Sequence, residues 1–460
     1  MSIVGAFIMP HPPVILPEIG RGREREISAT LRAFNACADR LRALEPETLV
    51  VVSPHATSYA DYFHISPGSG ADGNMENFGA PEAALPVRYD EALVQAIAKA
   101  AARANVPAGT LGEREKGLDH GVFVPLYMVQ TACPDAKIVR IGLSGLSPLE
   151  HYRLGQAISE AAGALSRRVA LIASGDLSHK LTADGPYGFA PEGAEYDGRF
   201  TRAMSSGDFL DFLTVSYELV EAAAACGTGS FQIMAGALDG IAVKPALLSY
   251  EGPFGVGYAV AAFEPLGPDE TRRFGEAYLR AESERLAQVR AGESPIVQLA
   301  RQALETFVLN GKRISLPENL PEWMRKDAAG VFVSIKQRGQ LRGCIGTIQP
   351  VTGCVAEEVL QNAVSAGRED PRFDPVETAE LPELTYSVDV LGNPEPAAFE
   401  DLDPHRYGVI VTSGRKRGLL LPMLEGVDTA EDQVEIARRK AGIGAREPVT
   451  YQRFQVVRHK

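Results

Sequence analysis

No apolar run in this 460-residue sequence approaches the roughly 18 residues that a helix needs to cross a bilayer, so a helical membrane protein is excluded. Cysteine is scarce: Cys37, Cys133, Cys226, Cys344 and Cys354 are an odd count without a CxxC pair. Neither a disulfide framework nor a zinc ribbon fits that pattern. Basic residues are outnumbered, 46 against 59 acidic ones, for a net charge of −13. That balance argues against nucleic acid as a partner, because phosphate binding needs the opposite sign. The first eight residues lack a charged start and a cleavage site and lead directly into a strand pattern, so a cytoplasmic, reduced protein is expected. Nucleotide-loop spacing is also missing. Gly227-Thr228-Gly229 and Gly255-Val256-Gly257 match neither GxGxxG nor GxxxxGK[ST], and are expected to be turns or close-packing positions.

What remains is ordinary globular composition, 45% hydrophobic and 23% charged, over a length that suggests two or three domains. The boundary is marked by charge. Residues 269–293 carry eleven charged residues in twenty-five, with Phe274, Tyr278 and Ala281 spaced along one stripe. We expect a domain over 1–267, a charged connector helix over 268–292 and a second domain over 293–460.

The N-terminal domain alternates short apolar runs with helical patterns. Val4–Ile8, Leu49–Val52, Ile138–Ile141, Val169–Ala173 and Ala246–Ser249 are expected strands, which implies an α/β fold with a mostly parallel sheet flanked by helices. Six of the eight histidines fall before residue 180, and three follow directly on an expected strand: His11, His55 and His179. A fourth strand runs into Glu251. Ligands of open α/β sheets bind outside the carboxyl ends of strands, so these side chains can meet in one crevice. Two imidazoles and a carboxylate are the ligand set of non-haem Fe(II) sites. Prolines beside His11 and His55 restrict the backbone and lower the freedom lost on fixing a ligand. His64, His151, His405 and His459 are expected to be ordinary hydrogen-bonded residues.

Met9-Pro10-His11-Pro12-Pro13, Ser53-Pro54-His55, Asp119-His120-Gly121 and Gly175-Asp176-Leu177-Ser178-His179 occur in an order that resembles the class III extradiol ring-cleavage dioxygenases. That family includes the catalytic subunit of the protocatechuate meta-cleaving enzyme, with the Memo proteins as relatives. The likeness spans about residues 1–265. It implies the phosphorylase/hydrolase-like extradiol dioxygenase fold. It further implies Fe(II) held by His11, His55 and Glu251, with Asp176 or Glu264 as substitutes for the glutamate. His179 would be the acid–base residue, and His120 would orient substrate or oxygen. The substrate would be a catechol-like diol, cleaved outside its two hydroxyls with incorporation of dioxygen. Two other readings stay open. One is a Memo-like metal- or ligand-binding module that works with a radical-SAM protein and lacks oxygenase turnover. The other is a hydrolase using zinc or another divalent metal on the same ligands. A second copy of the chain is also admitted as a partner.

The C-terminal domain begins with a helix over 295–309 and turns to strands: Val331–Ile335, Gly343–Ile348, Leu384–Leu391 and Val409–Thr412 with Leu419–Leu421, followed by a helix from about Thr429 to Ala441. An α+β domain is expected. Leu341-Arg342-Gly343-Cys344-Ile345-Gly346, with Asp370-Pro371-Arg372-Phe373 and Gly418-Leu419-Leu420-Leu421-Pro422, resembles the AMMECR family over 293–460. That resemblance implies a fold and no activity. Cys344, beside Arg342, is a candidate nucleophile; packing is the favoured role for a free cysteine without a nearby histidine.

Overall fold

A computed structural model describes residues 2–424 and 426–460. The chain forms two compact units that divide between Glu282 and Ser283. Among the described residues, no helix is long and apolar enough to cross a membrane.

The first unit is built on six strands: β1 (Ile3–Met9), β2 (Thr48–Ser53), β3 (Lys137–Gly142), β4 (Val169–Ser174), β5 (Ile241–Glu251) and β6 (Tyr258–Pro268). Their order across the sheet is β3-β2-β4-β1-β6-β5. β3, β2, β4 and β1 are mutually parallel; β6 runs antiparallel to β1, and β5 antiparallel to β6. The expected mostly parallel sheet is therefore present, with β6 antiparallel beside β1 and β5, which points the same way as β1, beyond it.

Both faces are covered. Along β1, Ala6 and Ile8 join one apolar core while Phe7 and Met9 join the other. β2 and β4 alternate in the same way, with Val50, Val52, Leu171 and Ala173 against Leu49, Val51, Ala170 and Ile172. A strand buried on two faces has no polar side, so it appears in the sequence as an unbroken apolar run. Helices Ser28–Leu44 and His120–Val129 contribute to the second core, and Glu91–Arg103, Pro148–Ala164 and Thr228–Ala237 to the first.

A helix spans Phe274–Gly292, where the connector was expected. Its first turns belong to the first unit's core, through Phe274 and Tyr278, and the unit boundary falls within it.

The second unit contains two four-stranded antiparallel sheets. One orders Gln340–Gly346, Val331–Gln337, Leu384–Leu391 and Val456–His459; the other orders Glu395–Ala397, Thr450–Phe454, Gly408–Ser413 and Lys416–Leu420. Helices Pro295–Asn310 and Val355–Arg368 pack on one face of the first of these sheets, around Val331, Val333 and Ile335. The glycines of the Arg342–Gly346 motif are packing devices. A Cβ on Gly343 would lie 2.1 Å from Ala366 O, and one on Gly346 would lie 2.3 Å from the Phe332 ring.

Candidate metal centre

The carboxyl ends of β1, β2 and β4 lie side by side, because β4 separates β2 from β1. His11 follows β1, His55 follows β2, and Ser174 and Asp176 lie at and beyond the end of β4. His120 opens the helix His120–Val129, capped by Asp119 Oδ1 accepting from Val122 N at 3.1 Å. The three imidazoles form one cluster, with ring centroids 4.8 Å apart for His11–His55, 5.3 Å for His11–His120 and 4.1 Å for His55–His120.

His11 is 2% exposed and fixed from two sides. Its backbone N–H donates to Asp176 Oδ1 at 2.9 Å, and its Nδ1 meets Ser174 Oγ at 2.9 Å. The Ser174 hydroxyl donates its only proton to Gly121 O at 2.5 Å, so toward His11 it can act only as acceptor. That assigns the imidazole proton to Nδ1 and leaves a bare lone pair on Nε2. This lone pair faces His55 Nε2 at 3.0 Å and Cys226 Sγ at 3.7 Å. Burial, followed by the neighbouring His55, His120 and His179, holds His11 well below the usual imidazole range. Burial and His120 lower His55 to about 4, against a smaller opposing pull from Asp119. Both rings are thus neutral at pH 7, the form that can ligate a metal.

Cys226 completes the donor set. One ligand atom each from His11, His55 and Cys226 lies within 4.8 Å of the others. Gly175 and Gly227 deliver the thiol. A Cβ on Gly175 would stand 2.2 Å from Gly227 Cα, so the two loops touch backbone to backbone. Gly227 N then donates to Asp176 O at 3.1 Å, and Asp176 N to Cys226 Sγ at 3.3 Å. Burial, with Asp176 adding to it, raises the Cys226 thiol well above its usual range, so it keeps its proton until a cation replaces it. The donors fit a divalent ion on chemical grounds: two neutral imidazoles and a thiol converge, and the Ser174 hydroxyl orients the His11 ring as outer partners of ligating histidines do.

Asp176 is 5% exposed, with Oδ2 3.9 Å from His11 Nε2; burial pushes its carboxyl up to about 7, against the His11 N–H. His179 is close enough to interact electrostatically with His11 and His55. Its N–H donates to Ala223 O at 3.0 Å, its Nδ1 is buried without a hydrogen-bond partner, and the Tyr187 ring meets it edge-on at 5.4 Å.

Glu251 is placed elsewhere, and this corrects the expected ligand set. It ends β5, on the sheet margin two strands from β1, which at strand spacing is about 10 Å away. Its Oε1 accepts from Thr30 N at 2.6 Å, in the first turn of helix Ser28–Leu44. Free N–H groups and the helix dipole at that end favour a carboxylate there. Glu264, the other substitute considered, lies in β6 with an exposed side chain 4.0 Å from Lys244 Nζ. Sequence reasoning missed Cys226. The signal available was its position directly before the Gly227-Thr228-Gly229 segment, a glycine pair where a thiol-bearing loop can approach another backbone.

A cavity of about 670 Å³ opens against this cluster, lined by His55 and His120 together with Asn74, Phe78 and Lys116. The Phe78 ring leans on His120 at 5.4 Å. Asn74 and Phe78 belong to the hairpin region between strands Gly70–Met75 and Ala80–Arg88.

In the second unit, Arg342 pairs with Glu380 through two hydrogen bonds, 2.6 and 3.0 Å. Cys344 is half-buried; its Sγ accepts from Ser334 Oγ at 3.2 Å and its N–H donates to Asp370 Oδ2 at 2.9 Å.

The catalytic LigB subunit of aromatic ring-opening dioxygenase matches residues 5–261 as a family model. The chain belongs to the LigB family. An AMMECR1 model matches residues 297–459, so this LigB-family domain is fused to an AMMECR1 domain, as the motifs of both halves implied. A Clostridium acetobutylicum protein is 40% identical over 468 residues, covering 100% of both chains. A Thermotoga maritima protein is 47% identical over 172 residues, 37% of this chain and 99% of its own. Among solved structures, an uncharacterized Pyrococcus horikoshii protein matches 35% of this chain and 88% of its own at 29% identity and a TM-score of 0.33. An uncharacterized Escherichia coli protein matches 56% of this chain and 99% of its own at 16% identity and a TM-score of 0.39.

Proposed function

We propose that the LigB-family domain is a Memo-like metal centre in which His11, His55 and Cys226 hold a redox-active divalent ion, iron first. On this reading it binds a small ligand alongside a radical-SAM protein and lacks ring-opening turnover. One observation carries the reading: the donor beside His11 Nε2 is the Cys226 thiol at 3.7 Å, while Glu251 is engaged by Thr30 N. Thiolate and imidazole suit iron, copper or zinc, whereas open non-haem iron oxygenase sites take two histidines and a carboxylate. A bound ion would supply Lewis acidity and, as iron or copper, a one-electron couple. The chain's residues do the rest. Ser174 keeps the His11 Nε2 lone pair turned inward, and Cys226 gives up its proton on binding. His120 and Phe78 offer two aromatic rings, tilted 59° to each other, to a planar ligand in the cavity.

A second reading is favoured by Asp176. Its buried carboxyl, 3.9 Å from His11 Nε2, can stand in for the missing glutamate of an Fe(II) extradiol dioxygenase acting on a catechol-like diol and dioxygen. His179, with an unpartnered Nδ1, would then take the diol proton.

Anaerobic purification with elemental analysis, followed by oxygen uptake on a catechol panel, separates the two. The first reading expects about one metal ion per chain, loss of that ion in Cys226→Ala, and no catechol-dependent uptake. Catechol-dependent oxygen uptake by the wild-type protein would overturn it in favour of the second. Zinc as the metal found would count against a redox role and favour the hydrolase.

A further inference from the structure

Arg140 lies in β3 with 1% of its surface exposed. A guanidinium buried that deeply is costly unless it is paired and hydrogen-bonded. Its Nη1 donates to Gly117 O at 2.6 Å and its Nη2 to Glu115 O at 3.0 Å, two carbonyls of the segment that rims the cavity. Its Nε stands 3.8 Å from Asp119 Oδ2, and both of those buried atoms lack a hydrogen-bond partner, so the contact is purely electrostatic.

Asp119 divides its other oxygen between two tasks. Oδ1 accepts from Val122 N, which caps the helix that begins with His120, and from Ser53 Oγ at 2.6 Å. Ser53 Oγ in turn accepts from His55 N at 3.1 Å. The packing between these groups has no slack: a Cβ on Gly121 would sit 2.4 Å from Ser53 Oγ and 3.2 Å from His55 Cδ2. One path therefore runs from Arg140 through Asp119 and Ser53 to His55, and another through the helix cap to His120.

We propose that Arg140 is a positioning residue for the ligand side of the crevice: it pins the 115–117 rim and, through Asp119, sets His55 and His120 side by side. His11 has holds of its own, its backbone N–H on Asp176 and its Nδ1 on Ser174, and meets this network only through Ser174 Oγ on Gly121 O and through His55 Nε2 at 3.0 Å. The proposal rests on the metal-centre reading for its functional consequence, while the positioning itself is readable in the metal-free protein.

The test uses full-length protein and histidine-ring nitrogen–proton correlation spectra without metal. Arg140→Met and Asp119→Asn should each move the His55 and His120 signals most, that of His11 less through its 3.0 Å contact with His55, and leave that of His151 in place, since it is tied to Ser147 O at 3.0 Å. Arg140→Lys, which restores a charge and loses the two-carbonyl grip, should move them less. Arg167→Met is the control, because it removes a comparable pair: Arg167 Nε lies 3.1 Å from Asp90 Oδ2, beside Thr48 at the other end of β2. It should move none of the four. A Co(II) titration should then show binding weakened roughly tenfold in Arg140→Met, as for loss of an outer-shell partner. Unmoved His55 and His120 signals, or equal movement of all four histidines, would overturn the proposal. Should Arg140→Met fail to fold, the near-isosteric Asp119→Asn decides the matter by the same criterion. Failure of Co(II) to bind the wild type would sink the metal reading and leave the spectra to judge Arg140.

Discussion

The two half-buried cysteines beside the motifs of each unit, Cys226 and Cys344, keep opposite company. Cys226 Sγ lies 3.7 Å from the His11 Nε2 lone pair, next to a carboxyl that burial holds up to about 7. Cys344 receives the Ser334 hydroxyl on a half-open sheet face, and Asp370, which accepts from its N–H, is itself paired with Arg372 at 2.9 and 2.7 Å. The first arrangement gathers imidazole nitrogens, a thiol and a buried carboxyl with no guanidinium or ammonium paired to them among the described residues. The second matches each acceptor to a donor and each carboxylate to a guanidinium. Unmatched polar groups mark a ligand site more sharply than the cysteine itself does.

The largest break in that contrast comes from the ligands. His11→Ala or His55→Ala should abolish stoichiometric metal binding, at least 100-fold in affinity and measured by elemental analysis and Co(II) titration, whereas Cys344→Ala should leave it unchanged. Next comes the backbone contact that delivers Cys226. In Gly227→Ala the new methyl would meet the Phe231 ring at 2.4 Å, and we expect a loss of about 1–3 kcal/mol in urea unfolding together with weakened metal binding. Ser174→Ala removes the acceptor that fixes the His11 proton on Nδ1, and should cost about tenfold in Co(II) affinity.

The smallest effect sharpens the other side. Arg372 holds the Asp370 carboxyl well below the usual carboxylate range, helped by the Cys344 and Arg372 N–H groups and opposed by partial burial. A carboxyl lowered on folding contributes stability that is present above its unfolded pKa, near 3.9, and is lost as pH falls through the native value. Arg372 is more than half exposed, so solvent screens the pair and Asp370→Asn should cost about 1 kcal/mol at pH 7. That difference from wild type should shrink as pH is taken below about 3, as measured by pH-dependent urea melts.

The sheet was legible because β1, β2 and β4 are buried on both faces, which leaves apolar runs that no amphipathic helix would show. The strand-end histidines were legible for a related reason, since a polar residue stands out where such a run stops. Strand order was not legible. Glu251 ends a strand that points the same way as β1, so the sequence offered it as a ligand; only the insertion of β6 between them moves it off the site. Cys226 was missed because its loop gains meaning only through contact with Gly175, fifty-odd residues earlier. Arg140 was hidden inside an apolar run, where nothing in the sequence tells a buried guanidinium from an edge residue.

The central place of β1 has a consequence for how the protein matures. Its neighbours are β4 and β6, so Ile8 pairs with Ala173 on one side and Ala261 on the other. β1 therefore waits for partners made some 165 and 250 residues later, a topology of high contact order that folds slowly. A nascent chain shorter than this can present His11 and His55 only as loose, separate imidazoles. Capture of a metal by these donors would then be a late event, reporting that the whole sheet has closed.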